Sequence, residues 1–406
     1  MAAVGSAKLD KLKKNILLVT GVFPPGIGGM QQYYYHLCRT TGHRMTVLAP
    51  IYGGDEEFDR AQSYKVIRRR FLQAEKIQIS SWPRLLYHTL ATIRTEKADV
   101  TIYGYILIGL IGLLLQLFFR RKYMVSVHGK DLLEFRRFWV LHGLCKIILG
   151  RADGVLTNSR YTKRIVMDYG VDEQKIQVVY PGVEAKFDRG EKDKELLGKH
   201  DLIGKYVLLT VGRLVKRKGH DKVIEALPSI IKQVPQAQYV IVGDGPERDR
   251  LERLAVHNGV RDRVTFINNV NNTEHLLRYY QSADLFIMTS RLLEDKGDVE
   301  GFGIVYLEAA SCGLPSVAGR TGGVAEAVLD QTTGLLVDPT SIMAITTAVA
   351  RLHNDPKLWE SLSQAGYQRV KSAFQYQQVV KKMDEFIVLI CEGEAALIGE
   401  DSAVKL

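Results

Sequence analysis

The sequence predicts an α/β protein of two doubly wound domains, each a parallel sheet with helices on both faces. Short apolar runs of strand length alternate with helical patterns along the chain. The length of 406 residues exceeds what one hydrophobic core usually serves, and a charged stretch near the middle separates two such series. Because open α/β sheets bind ligands beyond the carboxyl ends of their strands, we expect a ligand cleft between the domains.

The predicted strands follow one another with helix-length spacing. They span residues 16–20, 45–49, 66–69, 100–103, 124–127, 154–158 and 176–180 in the first series, and 206–211, 238–242, 264–267, 285–289, 316–318 and 335–337 in the second. The resulting domains are a first Rossmann-like domain at 1–182 and a second at 183–365, followed by a helix at 366–390 that packs back toward the first domain and a frayed tail at 391–406.

Composition and charge narrow the class of protein. The four cysteines lack the spacing of a zinc site and no signal peptide is evident, which indicates a reduced, cytoplasmic protein without a metal. The formal charge is +13 for residues 1–182 and −3 for residues 183–406. The first domain is therefore expected to meet an anionic partner such as a membrane surface, with a merely solvated surface as the alternative. The sequence has no basic stripe with interleaved aromatic residues, which is the pattern of proteins that bind single-stranded nucleic acids. Nucleic acid is therefore not an expected partner.

Residues 101–119 are nearly free of charge, as in a membrane span. The first of them predict a strand and Gly104 predicts a break. The helical remainder, 106–119, would measure about 21 Å against about 30 Å for a hydrocarbon core. A buried or interfacial helix is therefore favoured, and the three cations at 120–122 that follow it would suit an anionic bilayer.

Two cations after a predicted strand indicate a diphosphate site. Arg213 and Lys218 follow the apolar run 206–211, so they are expected at the carboxyl edge of the second sheet. A guanidinium binds phosphate oxygens as a fork, and an ammonium adds a compact charge. By itself this spacing also describes many basic surface turns, so the argument depends on a second segment.

The second segment, residues 300–308, joins glycines to two carboxylates and opens a predicted helix. A helix N-terminus offers unpaired amides, and glycine allows a ligand to approach the main chain. If the segment is helical, Glu300 and Glu308 lie about 12 Å apart, beyond the roughly 5–9.5 Å of glycosidase pairs. We expect them to hold the sugar and the ribose of one long ligand, while a half-buried helix face is the alternative for Glu308.

Two features of the first domain complete the candidate site. Gly28 and Gly29 follow the first predicted strand and can bring amides near an anion, although an ordinary turn has the same sequence. His128 ends the fifth predicted strand, and Asp131 could orient an acceptor or assist a proton transfer. A structural histidine is the competing interpretation. In the second domain, segment 243–247 is predicted to be a structural turn.

These motifs, in this order, resemble those of glycosyltransferase family 4 over roughly residues 15–385. That family has two facing Rossmann-like domains, the GT-B fold, and transfers sugars with retention. The resemblance implies that the domain at 1–182 binds the acceptor and that the domain at 183–365 binds the sugar-nucleotide donor. The resemblance implies that Arg213 and Lys218 bind the donor diphosphate, and that His128 contacts the sugar. It implies a Glu-x7-Glu pair in which Glu300 is catalytic and Glu308 binds the donor. The remaining implied ligand contacts are Gly28, Gly29, Phe302, Gly303, Ile304 and Val305 at the phosphate and sugar, and Ile267 and Asn268 at the base.

The resemblance also implies the reaction. A hexose passes from a sugar nucleotide to an acceptor without a metal, a cofactor or a protein nucleophile, and the leaving phosphate helps to deprotonate the acceptor. Segments 298–301 and 318–323 look most like those of the mannosyltransferases that build phosphatidylinositol mannosides from GDP-mannose. GDP-mannose and a lipid-linked or glycan acceptor are therefore expected, at the cytosolic membrane face.

Other functions remain open at this point. An inserted-looking segment, 291–297, departs from the family pattern beside the donor site and leaves the donor undecided. A transferase of glucose or N-acetylglucosamine from a UDP-sugar to a polysaccharide or small molecule is the main alternative. A nucleotide-sugar epimerase, a donor hydrolase and a non-catalytic basic membrane-binding protein are the others.

Overall fold

The computed structural model describes residues 13–26, 28–70, 81–268, 270 and 272–393. The chain forms two compact units, one of Met1–Pro181 with Tyr376–Leu406 and one of Gly182–Gln375. Each unit contains a wholly parallel sheet with helices on both faces, so the predicted α/β fold class is confirmed. Of the tail predicted at 391–406, the part from residue 394 onward lies outside the described residues.

The first unit contains a seven-stranded sheet in the order β3-β2-β1-β4-β5-β6-β7. Its elements are β1 Asn15–Val19, α1 Gly29–Thr40, β2 Arg44–Ala49, α2 Asp55–Arg60, β3 Lys65–Arg68, α3 Trp82–Thr95, β4 Val100–Tyr103, α4 Gly109–Phe119, β5 Tyr123–Val127, α5 Lys130–Phe135, α6 Trp139–Arg151, β6 Gly154–Thr157, α7 Arg160–Asp168 and β7 Ile176–Val178. All seven predicted strands are present, with ends that differ by at most two residues.

Side chains that alternate along the strands supply two cores. In β1, Leu17 and Val19 face one core, and Ile16 and Leu18 face the other. The uncharged helix α4 lies in the first of these cores, where Gly112 allows it to approach the sheet. A Cβ atom at Gly112 would lie 2.5 Å from the ring of Tyr103. The helix predicted at 106–119 thus begins three residues later, and its first two turns are largely buried. None of the described helices has the length and apolar character of a membrane span.

The second unit contains a six-stranded sheet in the order β10-β9-β8-β11-β12-β13. Its elements are α8 Lys194–Lys199, β8 Tyr206–Val211, α9 His220–Gln233, β9 Ala237–Val242, α10 Arg248–His257, β10 Val264–Ile267, α11 Thr273–Ser282, β11 Leu285–Met288, α12 Ile304–Ser311, β12 Ser316–Gly319, α13 Val324–Ala327, β13 Gly334–Val337, α14 Ile342–Asn354 and α15 Pro356–Ala373. The strand order reverses between β8 and β11. At such a switch point the loops after the two strands diverge and leave room for a ligand.

The last helix returns the chain to the first unit. The sequence predicted one helix at 366–390 and a domain boundary at 365, but the structure has two helices in this region, α15 and α16 (Tyr376–Glu392), separated by two residues. Helix α15 belongs to the second unit, and the division falls after Gln375. Val380, Met383 and Ile387 of α16 complete the second core of the first unit, and the carboxylate of Asp384 accepts hydrogen bonds from Thr41 Oγ1 and Gly42 N.

Candidate functional site

The turn after β8 places the predicted diphosphate cations in different environments. Lys218 is buried in a short 3-10 turn, with its Nζ 2.7 Å from Glu300 Oε2. Arg213 is exposed, and no hydrogen bond or ion pair joins its guanidinium to any residue of the described segments. Lys218 is thus fixed before any ligand arrives, and Arg213 is available to one.

Two glycines allow this turn to lie against its neighbours. Gly219 has a φ of 77°, and a Cβ atom there would lie 2.0 Å from the carbonyl oxygen of Thr289, after β11. Gly243 lies against the carbonyl oxygen of Gly212, where a Cβ atom would be 2.1 Å away. The predicted structural turn 243–247 therefore has a place in the site, because it packs directly on the turn that carries Arg213.

Glu300 lies in the loop before α12 and is held by two cations. Its Oε2 atom accepts from Lys218 Nζ at 2.7 Å and from Arg217 NH1 at 3.1 Å. Burial alone would raise the pKa of Glu300, but the charges of Lys218 and Arg217 outweigh it and hold the pKa below its usual value. Glu300 is therefore an ionised carboxylate, and no described residue donates to its Oε1 atom.

The helix that follows begins later than the sequence predicted. Gly303 has a φ of 91°, in the left-handed region, so the helical conformation starts only at Ile304. Glu300 precedes the helix and Glu308 lies within it, so the 12 Å helical separation does not apply to this pair. The half-buried residues Ile304 and Val305 form the first turn, whose amides and partial positive charge favour an anion.

Phe302 contributes differently from the other residues of this segment. Its ring is buried and stacks on Phe374, with 6.0 Å between the ring centroids. The resemblance placed residue 302 against the diphosphate and sugar. In the structure its side chain belongs to the core, so it can offer a ligand only its main chain.

Glu308 is half-buried and accepts a hydrogen bond from the hydroxyl of Tyr280, with 2.7 Å between the oxygens. Burial raises the pKa of Glu308 to about 7, although the hydrogen bond from Tyr280 opposes the shift. A carboxyl group that titrates near neutrality can both donate to and accept from ligand hydroxyl groups. The sequence offered no signal that Tyr280 would be its partner.

The predicted base-contacting residues end the edge strand β10. Ile267 is buried, whereas Asn268 is exposed and its side-chain oxygen accepts from Arg248. Arg248 also lies over the ring of Phe266, 4.4 Å from its centroid. The structure thus offers a ligand Asn268 and the main chain of Ile267, rather than the Ile267 side chain.

In the first unit, His128 follows β5 and is half-buried. Its Nε2 atom lies 2.7 Å from the hydroxyl of Tyr34, which lies 2.9 Å from the carbonyl oxygen of Gly104. A carbonyl only accepts, so Tyr34 donates its single proton to Gly104 and His128 Nε2–H donates to Tyr34. Nδ1 is then left with a lone pair for a ligand. Burial lowers the pKa of His128 to about 4, so the ring is neutral at pH 7.

Two other predictions for the first unit have mixed outcomes. Gly28 caps α1 and Gly29 begins it, as expected for a strand-to-helix loop. Gly29 is exposed with open space where a Cβ would lie, so its main chain is accessible. Asp131 is buried and its Oδ1 atom accepts from His128 N at 3.4 Å. It therefore supports the loop that carries His128.

Sequence reasoning missed Arg217 and Asp298. Arg217 Nε lies 3.1 Å from Asp298 Oδ1, and its NH1 atom contacts Glu300. The only available signal was that Arg217 adjoins Lys218 and that Asp298 lies two residues before Glu300. Among the residues that the structure describes, no cluster of three or more His, Cys, Asp or Glu side chains could hold a metal ion.

Comparisons with known proteins agree with this arrangement. The family described as Glycosyltransferase Family 4 matches residues 27–187, and the one described as Glycosyl transferases group 1 matches residues 193–369. A protein of Mycolicibacterium smegmatis described as "GDP-mannose-dependent alpha-(1-6)-phosphatidylinositol monomannoside mannosyltransferase" is 36% identical over 370 residues, which cover 86% of this chain and 92% of that protein. A Corynebacterium glutamicum mannosyltransferase for the monoacylated form of that lipid is 29% identical and covers 92% of this chain and 98% of its own length.

Solved structures show the same fold. Sucrose-phosphate synthase from Thermosynechococcus elongatus superposes with a TM-score of 0.77 at 22% identity, over 92% of this chain and 98% of that one. A glycosyltransferase from Rickettsia africae gives a TM-score of 0.76 at 18% identity, over 94% and 99% of the two chains. At such identities these structures support the GT-B fold alone. The family matches and the Mycolicibacterium smegmatis relative show that the chain belongs to glycosyltransferase family 4 and is a glycosyltransferase.

Proposed function

We propose that this chain transfers mannose from GDP-mannose to a mannosylated phosphatidylinositol or a related lipid-linked acceptor, with retention and without a metal. The observation that carries the proposal is the Lys218–Glu300 pair at the switch point of the second sheet, beside the exposed Arg213. This arrangement suits a donor with a diphosphate next to a hydroxyl-bearing ring. The names of the mannosyltransferase relatives support GDP-mannose as that donor.

The proposed reaction exchanges one bond at the anomeric carbon of mannose. The bond from this carbon to the diphosphate breaks while a bond to the acceptor oxygen forms on the same face. The acceptor proton passes to the departing phosphate oxygen, so no protein nucleophile is needed. Arg213, Lys218 and the first amides of α12 stabilise the negative charge of the leaving diphosphate, which is the main electrostatic contribution. His128 accepts a sugar hydroxyl through Nδ1, and Glu300 accepts another through Oε1.

A ligand panel tests the donor. We expect GDP and GDP-mannose, each at about a hundredfold excess over its dissociation constant, to stabilise the protein by about 2.7 kcal/mol and to raise its unfolding midpoint by a few degrees. UDP, ADP and their sugars should leave the midpoint unchanged. Radiolabelled mannose should pass from GDP-mannose to phosphatidylinositol mannosides, and the transfer should persist when EDTA removes divalent metal ions. If UDP-glucose alone raised the midpoint, the donor would be UDP-glucose and not GDP-mannose. If no nucleotide raised it, the proposal would be overturned.

A lipid acceptor requires the protein to contact a membrane. We propose that the membrane-contacting surface lies at the end of α4. Leu117, Phe118 and Phe119 are exposed there, Phe118 by 75%, although the rest of the helix is largely buried. The exposed cations at 120–122 follow directly. Apolar side chains beside a cationic cluster fit the acyl and anionic head-group regions of a bilayer. The protein would then act at the cytosolic face as a peripheral enzyme.

Vesicle sedimentation tests this contact. Replacing Phe118 by Ser and both Arg120 and Arg121 by Glu should lower binding to phosphatidylinositol-containing vesicles by about tenfold or more, since each cation contributes about 1 kcal/mol near an anionic surface. Vesicles of phosphatidylcholine should bind weakly in both cases. The control replaces Ile203 and Met343, which are equally exposed in the second unit, by Ser. Equal losses in the two variants would contradict the assignment.

A further inference from the structure

The segment 291–300, of which the sequence marks 291–297 as unusual, is fastened at its start to the turn that carries the diphosphate cations. The Arg291 guanidinium donates to both carboxylate oxygens of Asp221, at 2.9 and 2.8 Å, and both side chains are buried. The amide of Arg291 donates to the carbonyl oxygen of Arg217 at 2.8 Å. We call this segment the donor loop.

At the end of the donor loop, the side chain of Arg217 contacts two carboxylates. Its Nε atom lies 3.1 Å from Asp298 Oδ1, and its NH1 atom lies 3.1 Å from Glu300 Oε2. A backbone bridge between Leu293 and Asp298 closes the loop upon itself. Because a guanidinium is planar and its donors are fixed in a fork, the two contacts of Arg217 set the spacing of the two carboxylates.

Glu300 therefore has a second cation that the proposed donor does not need. Lys218 has two anionic partners, because it pairs with Glu300 in the free protein and is assigned to the diphosphate of the donor. When the Lys218 ammonium also contacts the phosphate, its interaction with Glu300 weakens. Arg217 then still contacts the same Oε2 atom of Glu300. Glu300 then stays ionised and oriented, with its Oε1 atom presented to the ligand.

We propose that Arg217 is a positioning residue for sugar transfer: it ties Asp298 to Glu300 and keeps the Glu300 carboxylate in place when Lys218 engages the diphosphate. Arg217 acts on the ligand only through Glu300. The inference rests on the proposed function where mannose transfer is measured. It does not rest on that function where the hydrogen exchange of the donor loop is measured. It distinguishes two ligands, because GDP-mannose carries the mannose that Glu300 is proposed to contact and GDP lacks it.

The test compares Arg217→Met with Arg217→Lys. Arg217→Met should lower kcat with GDP-mannose about 10- to 100-fold, because a small misplacement of a sugar contact is costly. Binding of GDP alone should stay close to wild type, since the Arg213 and Lys218 clamp is intact. Arg217→Lys should recover part of the loss, because an ammonium can reach one carboxylate but not both. Equal weakening of GDP binding and turnover would show a merely structural role and overturn the proposal.

Two further readouts sharpen the test. With one cation removed, the pKa of Glu300 rises, so the loss of activity on acidification should move to higher pH in Arg217→Met. Amide hydrogen exchange in residues 292–300 should be about tenfold faster in Arg217→Met, as expected when hydrogen bonds to a charged group are lost.

The matched control is Arg278→Met. Arg278 also pairs with two carboxylates of the second unit, those of Asp193 and Glu195, but contacts neither Asp298 and Glu300 nor the Asp221 that holds the start of the donor loop. It should change neither the pH profile nor exchange in 292–300. If the two variants exchange alike, the proposal is wrong whatever the donor is. If wild-type protein transfers no mannose but exchange rises only in Arg217→Met, the proposed function fails and the positioning role of Arg217 stands.

Discussion

Replacing Arg213 and Lys218 together by Ala should lower sugar transfer on the order of 10³-fold or more. The two cations stabilise the charge that develops on the departing diphosphate, and loss of a single such donor typically costs about 10²- to 10³-fold in rate. Turnover of GDP-mannose with a lipid acceptor measures the effect. The stabilisation of the protein by GDP should disappear with it, because GDP keeps the diphosphate.

The two positions differ in their effect on folding, which shapes the control. Lys218 is buried against Glu300, so its removal leaves that carboxylate with Arg217 alone. Arg213 is exposed, and Arg213→Ala by itself should lower transfer about 10²-fold without changing the unfolding midpoint. The charge-matched control replaces the exposed Lys232 and Arg253 of the same unit by Ala. Near-normal transfer in the double variant would remove the clamp assignment.

His128→Ala should lower kcat about 10²-fold, with GDP binding nearly unchanged. The ring is placed by the Tyr34 hydroxyl and offers a lone pair at Nδ1, so its loss removes one contact to the transferred sugar. Steady-state kinetics with GDP-mannose, and binding of GDP measured separately, give both quantities. Tyr34→Phe should have a smaller effect in the same direction, because it frees the ring without removing it.

The pH profile provides an independent check on His128. Burial holds the pKa of His128 near 4, so the ring stays neutral as pH falls from 8 to 5 and gains its proton only below that range. If the activity of the wild type fell on acidification with an apparent pKa near 6.5, and His128→Ala removed this dependence, the neutral state of the His128 ring would be contradicted. His142→Ala, which alters another half-buried histidine of the first unit, should leave kinetics and profile unchanged.

The strands and the cations that follow them could be predicted from sequence for a simple reason. Strands buried on both faces of a parallel sheet are continuous apolar runs, as in β8 and β11, and their boundaries are visible in the sequence. Residues at the carboxyl ends of such strands gather at one edge, so position in the sequence predicts position in the fold. Arg213 and His128 were found in this way.

The rest of the site depends on contacts between residues far apart in sequence. Arg217 and Glu300 are 83 positions apart, and neither segment shows that they form an ion pair. The ring of Phe302 turns into the core because Phe374 lies there to stack on it. The late start of α12 depends on the backbone conformation of Gly303, which a helical pattern alone does not reveal. In each case tertiary packing decides what local propensity leaves open.

The return of α16 to the first unit makes the second unit an insertion within the first. Residues 182–375 are contiguous, so all the strands and helices of that unit leave the ribosome before α16 does. The first unit must wait for α16, because Val380, Met383 and Ile387 belong to its core. A chain cut short before residue 376 would leave part of an apolar face of the first sheet uncovered while the second unit is complete. Folding of the first unit thereby depends on a segment that is made after the whole of the second.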